Sequence, residues 1–365
     1  MKDKKLWPIV LAGALIGAAG VGLFALGNPA NMGFCIACFL RDTAGALKLH
    51  TAPVVQYLRP EIIGIILGSF CISLLTKEFK ARGGSSPLTR LFLGFIVMVC
   101  ALVFLGCPLR MFLRMGAGDL NAWIALIGFV GGVYVGTLFL GRGFSLGRAY
   151  EKNPVEGVLM PGLQVVFLCL LVAAPTLLAF SEKGPGSQHA AILISLVVAL
   201  AVGILAQKSR LCQMGAFRDL IMLKDPHLLW GSLAILLVAI VGNLIHGSFK
   251  LSMVGQPIAH SESLWNILSM FAVGLASTFL GGCPMRQLVL TGTGNVDSGI
   301  TVIGMVLGAA FAHNFKLASG GEKIVDGVRQ GGTTPGGRIM VIVSIVALLL
   351  LGLAYTRKHQ EALKK

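Results

Sequence analysis

The sequence predicts an all-α polytopic membrane protein, with about ten transmembrane helices and four short re-entrant half-helices arranged as two inverted repeats. Three observations lead to this fold class. The chain is 55% hydrophobic and only 12% charged, apolar stretches of membrane-spanning length follow one another along it, and its cysteine motifs occur twice. Because a soluble domain carries about a quarter charged residues, lipid is expected to be the main solvent of this chain.

Ten apolar stretches are long enough to cross a bilayer, which requires about 20 residues of helix. They cover residues 6–27, 59–76, 88–106, 119–140, 159–180, 189–207, 228–248, 263–281, 296–316 and 338–356. The first follows Lys2, Lys4 and Lys5 as a signal peptide would, but its length favours a retained span. Eight or nine full spans are the alternative if a short stretch only re-enters the membrane.

The net charge of +15 would suggest a nucleic-acid partner in a soluble protein. In a membrane protein it is explained by Lys and Arg on cytoplasmic loops, so no nucleic-acid partner is expected. With the N-terminus inside and the spans alternating, 19 of the 30 Lys and Arg residues fall on the inside. The bias predicts a multi-pass protein of the bacterial inner membrane with both termini in the cytoplasm.

Two motifs recur along the chain with nearly the same offset. Residues 106–110 (G-C-P-L-R) recur as 282–286 (G-C-P-M-R), 176 positions later. Residues 34–42 recur as 211–219, 177 positions later, with the cysteine and the Arg-Asp pair retained. The recurrence predicts a first repeat in residues 1–180 and a second in 181–365, within a single membrane domain. Five spans per repeat is an odd number, so the second repeat is expected to be inverted.

Four motif segments are too short to cross the membrane, and they are predicted to be half-helices buried in protein or lining a watery path. They cover residues 34–49, 107–116, 211–224 and 283–292. Proline is favoured at the first helical position, so Cys107 and Cys283 are predicted to be helix N-caps. Free N–H groups and the positive dipole end make such a position an anion site. Arg110 and Arg286 follow about one turn later.

These motifs supply the candidate substrate-binding residues, and no catalytic residue is assigned. The candidates are Cys107, Cys283, Cys35, Cys212, Cys38, Arg110, Arg286, Arg41 and Arg218. Arg41 and Arg218 could instead form structural ion pairs with the aspartates that follow them. Cys38 forms a C-x-x-C with Cys35, which is either redox-active or an additional apolar filler. Cys71, Cys100 and Cys169 are interpreted as apolar fillers.

Several site classes are not expected. The seven histidines show no metal-ligand spacing, and neither a P-loop nor a dinucleotide fingerprint occurs. We therefore expect no metal, no cofactor and no ATP hydrolysis. Glu61 and His313 fall at span edges, where snorkelling to the interface is the usual explanation.

The duplicated F-C-x-x-C-x-x-R-D, L-C-x-x-G-x-x-R-D and G-C-P-[LM]-R segments resemble the YeeE/YedE sulfur-transport family over nearly the whole chain. The nearest resemblance is to its YedE-type branch linked to selenium metabolism. The family implies a transporter with short re-entrant helices, whose best-known members take up thiosulfate through cysteines that contact it in turn. That role would fall on Cys107 and Cys283, then on Cys35 and Cys212. Many members carry G-C-T-S-G-H where this chain has G-C-P-L-R, which leaves room for a selenium compound.

The function expected from these observations is uptake of a small sulfur- or selenium-containing anion, and no enzymatic activity is expected. A thiol oxidoreductase that uses Cys35 and Cys38 is the main alternative, and a passive small-anion channel is another. The expected partners are the anion and membrane lipid, and the resemblance adds a cytosolic sulfur-carrier protein.

Overall fold

The structure is a computed structural model, and it describes the backbone of residues 6–325 and 328–364 and the side chains of 6–322 and 330–357. Ten helices in this part of the chain are long and apolar. They are α1 (Trp7–Ala25), α3 (Pro60–Leu75), α4 (Pro87–Phe104), α6 (Leu120–Gly141), α7 (Pro154–Ala173), α8 (Ile192–Ser209), α10 (His227–Ile245), α11 (Ser263–Leu280), α13 (Val296–Asn314) and α14 (Pro335–Lys364). Four helices are short. They are α2 (Ile36–Ala46), α5 (Pro108–Gly116), α9 (Gln213–Leu223) and α12 (Pro284–Gly292).

The predicted all-α polytopic fold is confirmed. Over the described residues, nine helices are long and apolar enough to cross a membrane, and α3 is a shorter apolar helix of 16 residues. In the described residues, the named strands form two small antiparallel pairs. Strand β1 (Arg82–Gly83) pairs with β2 (Tyr150–Glu151), and β3 (Gly320–Val325) pairs with β4 (Val328–Gly332). Neither pair was predicted from the sequence.

The fifth span begins earlier than predicted. Helix α7 starts at Pro154, after Asn153 caps it by accepting from the N–H of Val155 at 3.0 Å. Asparagine at the cap and proline at the first position are strong start signals, and they precede the apolar run that marked the predicted span. Pro161 lies inside α7.

Long and short helices follow the same order in both halves of the chain. From α1 to α7 the order is long, short, long, long, short, long, long, and α8 to α14 repeat it. The predicted boundary at residue 180 falls in the segment between α7 and α8. Long helices of the first half pack against long helices of the second half. The pairs are α1 with α10, α3 with α8, α4 with α13 and α6 with α11.

Glycines at equivalent positions of the two halves allow these helices to pack closely. A Cβ at Gly128 in α6 would collide with the carbonyl oxygen of Ile267 in α11. A Cβ at Gly304 in α13 would collide with the carbonyl oxygen of Leu91 in α4. Small residues permit such close backbone approach between membrane helices. The two halves therefore interlock along their long helices and bury most of α2, α5 and α12 together with the first turn of α9.

Candidate functional site: two thiol clusters below opposite cavities

Each of the four short helices begins directly after a cysteine. Cys35 caps α2, Cys107 caps α5, Cys212 caps α9 and Cys283 caps α12. The predicted N-cap positions of Cys107 and Cys283 are confirmed, with proline at the first helical position of α5 and α12. The caps at Cys35 and Cys212 were not predicted, because no proline follows these cysteines. All four thiols thus lie at helix N-termini, where unpaired N–H groups favour an anion.

Three thiols and one guanidinium meet where α2 and α5 begin. The Cys107 thiol lies close to the thiol of Cys35 and to the backbone N–H groups of Ile36, Ala37 and Arg110. The Cys35 sulfur accepts from the N–H of Cys38 at 3.3 Å. The Cys38 sulfur lies 3.6 Å from Nη1 of Arg110. We call Cys35, Cys38, Cys107 and Arg110 the first station, and the side chains of all four are buried.

Arg110 is a buried cation whose partners carry no formal charge. Its Nε donates to the carbonyl oxygen of Asn31 at 2.9 Å and its Nη2 to that of Ile258 at 3.0 Å, while Nη1 donates to Leu105. Among the ion pairs of the described residues, none joins Arg110 to a carboxylate. A buried charge without a counter-ion is costly. An anion beside the three thiols would provide the missing charge.

Arg41 forms the ion pair that was the alternative interpretation, and it also lines a cavity. Its Nη2 lies 2.7 Å from Asp42, and Arg59 approaches the other oxygen of Asp42 at 2.7 Å. Arg41 and Arg59 carry two positive charges against the single negative charge of Asp42, so the three side chains together have one net positive charge. Arg59 was missed in the sequence because it follows the motif by 17 positions, and only the folded loop returns it to α2.

The second cluster forms where α9 and α12 begin. The Cys212 sulfur accepts from the N–H of Gly215 and from the N–H of Cys283, both at 3.3 Å. The Cys283 thiol donates to Oε1 of Gln213 at 3.3 Å. Gln213 is completely buried, and its Nε2 has no hydrogen-bond partner among the residues that the structure describes. That amide is therefore an unused donor beside two thiols.

Gln213 was not recognised in the sequence, although a polar residue directly after Cys212 was an available signal. The equivalent position after Cys35 is Ile36, so the amide belongs to the second cluster alone. We call Cys212, Cys283, Gln213 and Arg286 the second station.

The two arginines of the second-half motifs have different environments. Arg286 donates from Nη1 to Oε1 of Gln207 at 3.2 Å, and Gln207 donates to Glu78 at 2.9 Å. The side chain of Arg286 lines a cavity. Arg218 pairs with Asp219 at 2.7 Å and is 32% exposed, which is the structural ion pair that was its alternative interpretation. Arg286, not Arg218, is the motif arginine at the second station.

Two cavities open at opposite ends of α13. The first has a volume of about 550 Å³, and His313 in the last turn of α13 is one of its lining residues. The second has a volume of about 430 Å³, and Asn295, the N-cap of α13, is one of its lining residues. A helix of 19 residues spans about 28 Å. The cavities are thus separated by roughly the thickness of a hydrocarbon core.

Each cavity adjoins one station. Leu105 and Ile258, whose carbonyl oxygens bind Arg110, line the first cavity, and Arg286 itself lines the second. The second cavity is strongly basic. Its charged lining residues are Lys77, Lys80, Arg82, Arg210, Arg286 and Glu78. Five positive side chains and one negative side chain give this cavity a positive electrostatic potential, which attracts anions.

The remaining cysteines lie outside both stations. All eight cysteines are free thiols. Cys100 is buried in α4, whereas Cys71 and Cys169 are exposed on the surfaces of α3 and α7. Exposure on a membrane-spanning helix is contact with lipid, which suits the apolar thiol side chain. These three residues serve as internal comparisons for the cysteines that cap the short helices.

Comparison with known proteins found a family match for the second half of the chain. A family model described as "Sulphur transport" matches residues 208–365, less than half of the chain. The second half is similar to the sulphur transport family. The matched region contains α9 and α12 and therefore the whole cysteine set of the second station. No curated protein matches the chain. The sulphur-transport match and the apolar helices together support a multi-pass membrane protein with a sulfur-related transport function.

Proposed function

We propose that the chain takes up a small sulfur- or selenium-containing anion through the first and second stations in turn. The observation that carries the proposal is the buried, uncompensated Arg110 beside three thiols. A second thiol pair with Gln213 and Arg286 adjoins the opposite cavity. The sulphur-transport match over α9 and α12 supports the same chemistry.

The chemistry of the stations suits an anion that has both hard and soft atoms. Guanidinium and helix N–H groups donate to oxygen atoms, whereas a thiol S–H is a weak donor that suits a terminal sulfur or selenium. Thiosulfate has this combination, and so does a selenium analogue that carries a terminal selenium. Sulfate offers only oxygen atoms and should bind more weakly.

We propose that the anion enters by the first cavity and leaves by the second. This direction corresponds to both termini in the cytoplasm of a bacterial inner membrane and to the short helices as re-entrant segments. The basic second cavity would then face the cytoplasm. A cytosolic sulfur-carrier protein could collect the anion there, and the five cations of the cavity suit an acidic surface on such a partner.

Reconstitution of the purified protein in liposomes tests the function. Radiolabelled thiosulfate, selenite, sulfite and sulfate are offered singly and in competition, and thiosulfate or the selenium compound should enter by a saturable route. Cys107→Ala and Cys283→Ala should abolish that uptake. Cys71→Ala and Cys169→Ala, at exposed thiols outside the stations, should not change it. Normal uptake by both station variants would refute the proposal.

One observation favours a thiol oxidoreductase as a second candidate. The C-x-x-C pair of Cys35 and Cys38 occupies a helix N-terminus, and the N–H of Cys38 donates to the sulfur of Cys35. An oxidoreductase cycles this pair through a disulfide, whereas the transporter uses it as thiols. Trapping free thiols in membranes before and after reduction distinguishes the two, since only the enzyme yields a reducible Cys35–Cys38 bond. A passive channel would show uptake that does not saturate.

A further inference from the structure

Four carboxyl groups are buried among the described residues, and three of them have a cationic partner. Asp42 pairs with Arg41 and Arg59, Asp119 with Arg114, and Asp297 with Arg90. Glu61 is 1% exposed and has no ion pair in the described part of the chain. The expectation that Glu61 snorkels to the interface is therefore wrong, because Asn28 in the segment after α1 and Ser195 in α8 bind the carboxyl group inside the protein.

The hydrogen bonds of Glu61 leave one oxygen free. Its Oε1 accepts from Nδ2 of Asn28 at 2.7 Å and from the hydroxyl of Ser195 at 3.1 Å. Its Oε2 is buried and has no hydrogen-bond partner in the described part of the chain. A proton on Oε2 would leave both existing bonds intact, so the same site accommodates the charged and the neutral carboxyl. An ionisable group inside a membrane protein is a functional candidate by default.

The segment that follows Asn28 connects Glu61 with the first station. Asn28 also donates to the carbonyl oxygen of Gly33 at 3.5 Å and accepts from the N–H of Ala190 at 2.9 Å. Between Asn28 and Gly33, the carbonyl oxygen of Asn31 accepts from Arg110. Glu61 and Arg110 therefore bind the same loop, through Asn28 and Asn31 respectively.

Tyr57 lies near Glu61 and contacts an exposed residue at the protein surface. Among the described residues, the buried hydroxyl of Tyr57 has no hydrogen-bond partner. Burial raises the pKa of Tyr57, and the nearby charge of Glu61 raises it further, whereas the charge of Arg59 lowers it. The Tyr57 ring stacks on the exposed His189 at 4.2 Å. Tyr57, Arg59 and His189 are the titratable or charged groups on this side. Asn28, in the segment after α1, and Ser195, in α8, also contact Glu61, and neither side chain titrates.

We propose that Glu61 is a proton-binding site whose occupancy is linked to anion binding at the first station. The inference rests on the proposed transport function and adds its dependence on protons. A negative charge on Glu61 repels an entering anion, and a proton removes that charge in a medium of low dielectric constant. Linkage is reciprocal, so anion binding must also favour uptake of a proton.

The first experiment measures thiosulfate uptake in liposomes against external pH, because thiosulfate stays a dianion from about pH 5.5 to about pH 8. For the wild type, we expect KM to rise roughly five- to tenfold over this range, as is typical of coupling between two sites. Glu61→Gln mimics the protonated carboxyl and should keep the low KM at every pH. Glu61→Asp keeps a carboxyl and should keep the pH dependence.

Histidines near the first cavity need a control, since His313 lines it and stacks on His50 at 4.7 Å. His313→Gln should retain the rise in KM. An unchanged pH profile in Glu61→Gln would overturn the proposal while leaving the transport function in place. Absence of saturable uptake in the wild type at any pH would instead overturn the proposed function.

A second measurement does not depend on uptake by a variant. The wild-type protein in weakly buffered detergent is mixed with thiosulfate, and proton uptake is followed with a pH indicator. We expect the wild type to take up a fraction of a proton for each anion that it binds. A Glu61→Gln variant that still binds the anion should take up no proton. No proton uptake by the wild type on binding would overturn the linkage.

Discussion

The backbone N–H of Cys283 donates to the sulfur of Cys212 at 3.3 Å, so one sulfur joins the N-termini of two short helices. The same sulfur accepts from Gly215 in its own helix. Cys212 therefore fixes α9 against α12, and the proposed function gives it a second task, which is to present a soft atom to the substrate.

Separate substitutions of Cys212 should distinguish these tasks. Cys212→Ser keeps an acceptor for both N–H groups, so the protein should remain as stable as the wild type while thiosulfate uptake falls. Cys212→Ala removes the acceptor and should also destabilise the fold by about 1 kcal/mol, the usual cost of a lost N-cap. Uptake assays and thermal melts in detergent measure the two effects. Equal losses of stability in both variants would show that the hydrogen bonds are unimportant.

Arg110→Lys should weaken uptake although it keeps the positive charge. An ammonium group cannot reproduce the planar fork that reaches Asn31, Leu105 and Ile258 at once. Loss of about 1.5–3 kcal/mol of charge-assisted hydrogen bonding predicts a KM for thiosulfate raised by about tenfold or more. Arg142→Lys, at an exposed position after α6, is the control. An unchanged KM in Arg110→Lys would remove Arg110 from the first station.

Gln213→Leu should impair transport at the second station. It removes the free Nε2 donor and the acceptor of the Cys283 thiol while keeping the volume similar. One neutral hydrogen bond is worth about 0.5–1.5 kcal/mol, so uptake should fall by roughly two- to tenfold. Gln164→Leu changes another buried glutamine, in α7, and should leave uptake unchanged. Similar losses in both variants would indicate a packing effect.

The duplicated Arg-Asp pairs should differ sharply in their contribution to stability. Asp42 is completely buried between Arg41 and Arg59, so Asp42→Asn leaves two buried cations without a counter-ion. The expected loss is about 3–5 kcal/mol. Asp219→Asn breaks a pair in which Arg218 is 32% exposed, and its expected cost is about 0–1 kcal/mol. Thermal melts of both variants test the contrast, which equal shifts would contradict.

The contact of Glu262 with the start of α14 should weaken in acid. Burial alone would raise the pKa of Glu262, but hydrogen bonds from Thr333 and the charge of Arg338 outweigh it and lower the pKa. A lowered pKa in the folded state stabilises the protein above the unfolded value of about 4.3. This contribution disappears as pH falls through the folded pKa. The melting temperature of Glu262→Gln should depend less on pH in this acidic range than that of the wild type.

Much of the fold could be predicted because lipid restricts both length and composition. Each of the ten apolar stretches overlaps one long helix, and the caps at Cys107 and Cys283 follow from the adjacent proline. The error at α7 arose because hydropathy was followed and the local start signal at Asn153 was not. Caps and spans are local properties, so neighbouring residues are sufficient to specify them.

The sequence by itself determined the membrane class, the order of long and short helices and the four cysteine motifs. Only the tertiary structure decided that Cys107 meets Cys35, that Arg59 joins Asp42, and that Glu61 is enclosed without a cation. These relationships join segments that are distant in the sequence or lie on different helices. They depend on which helix faces which, and close packing of glycine-rich helices between the two halves fixes that choice.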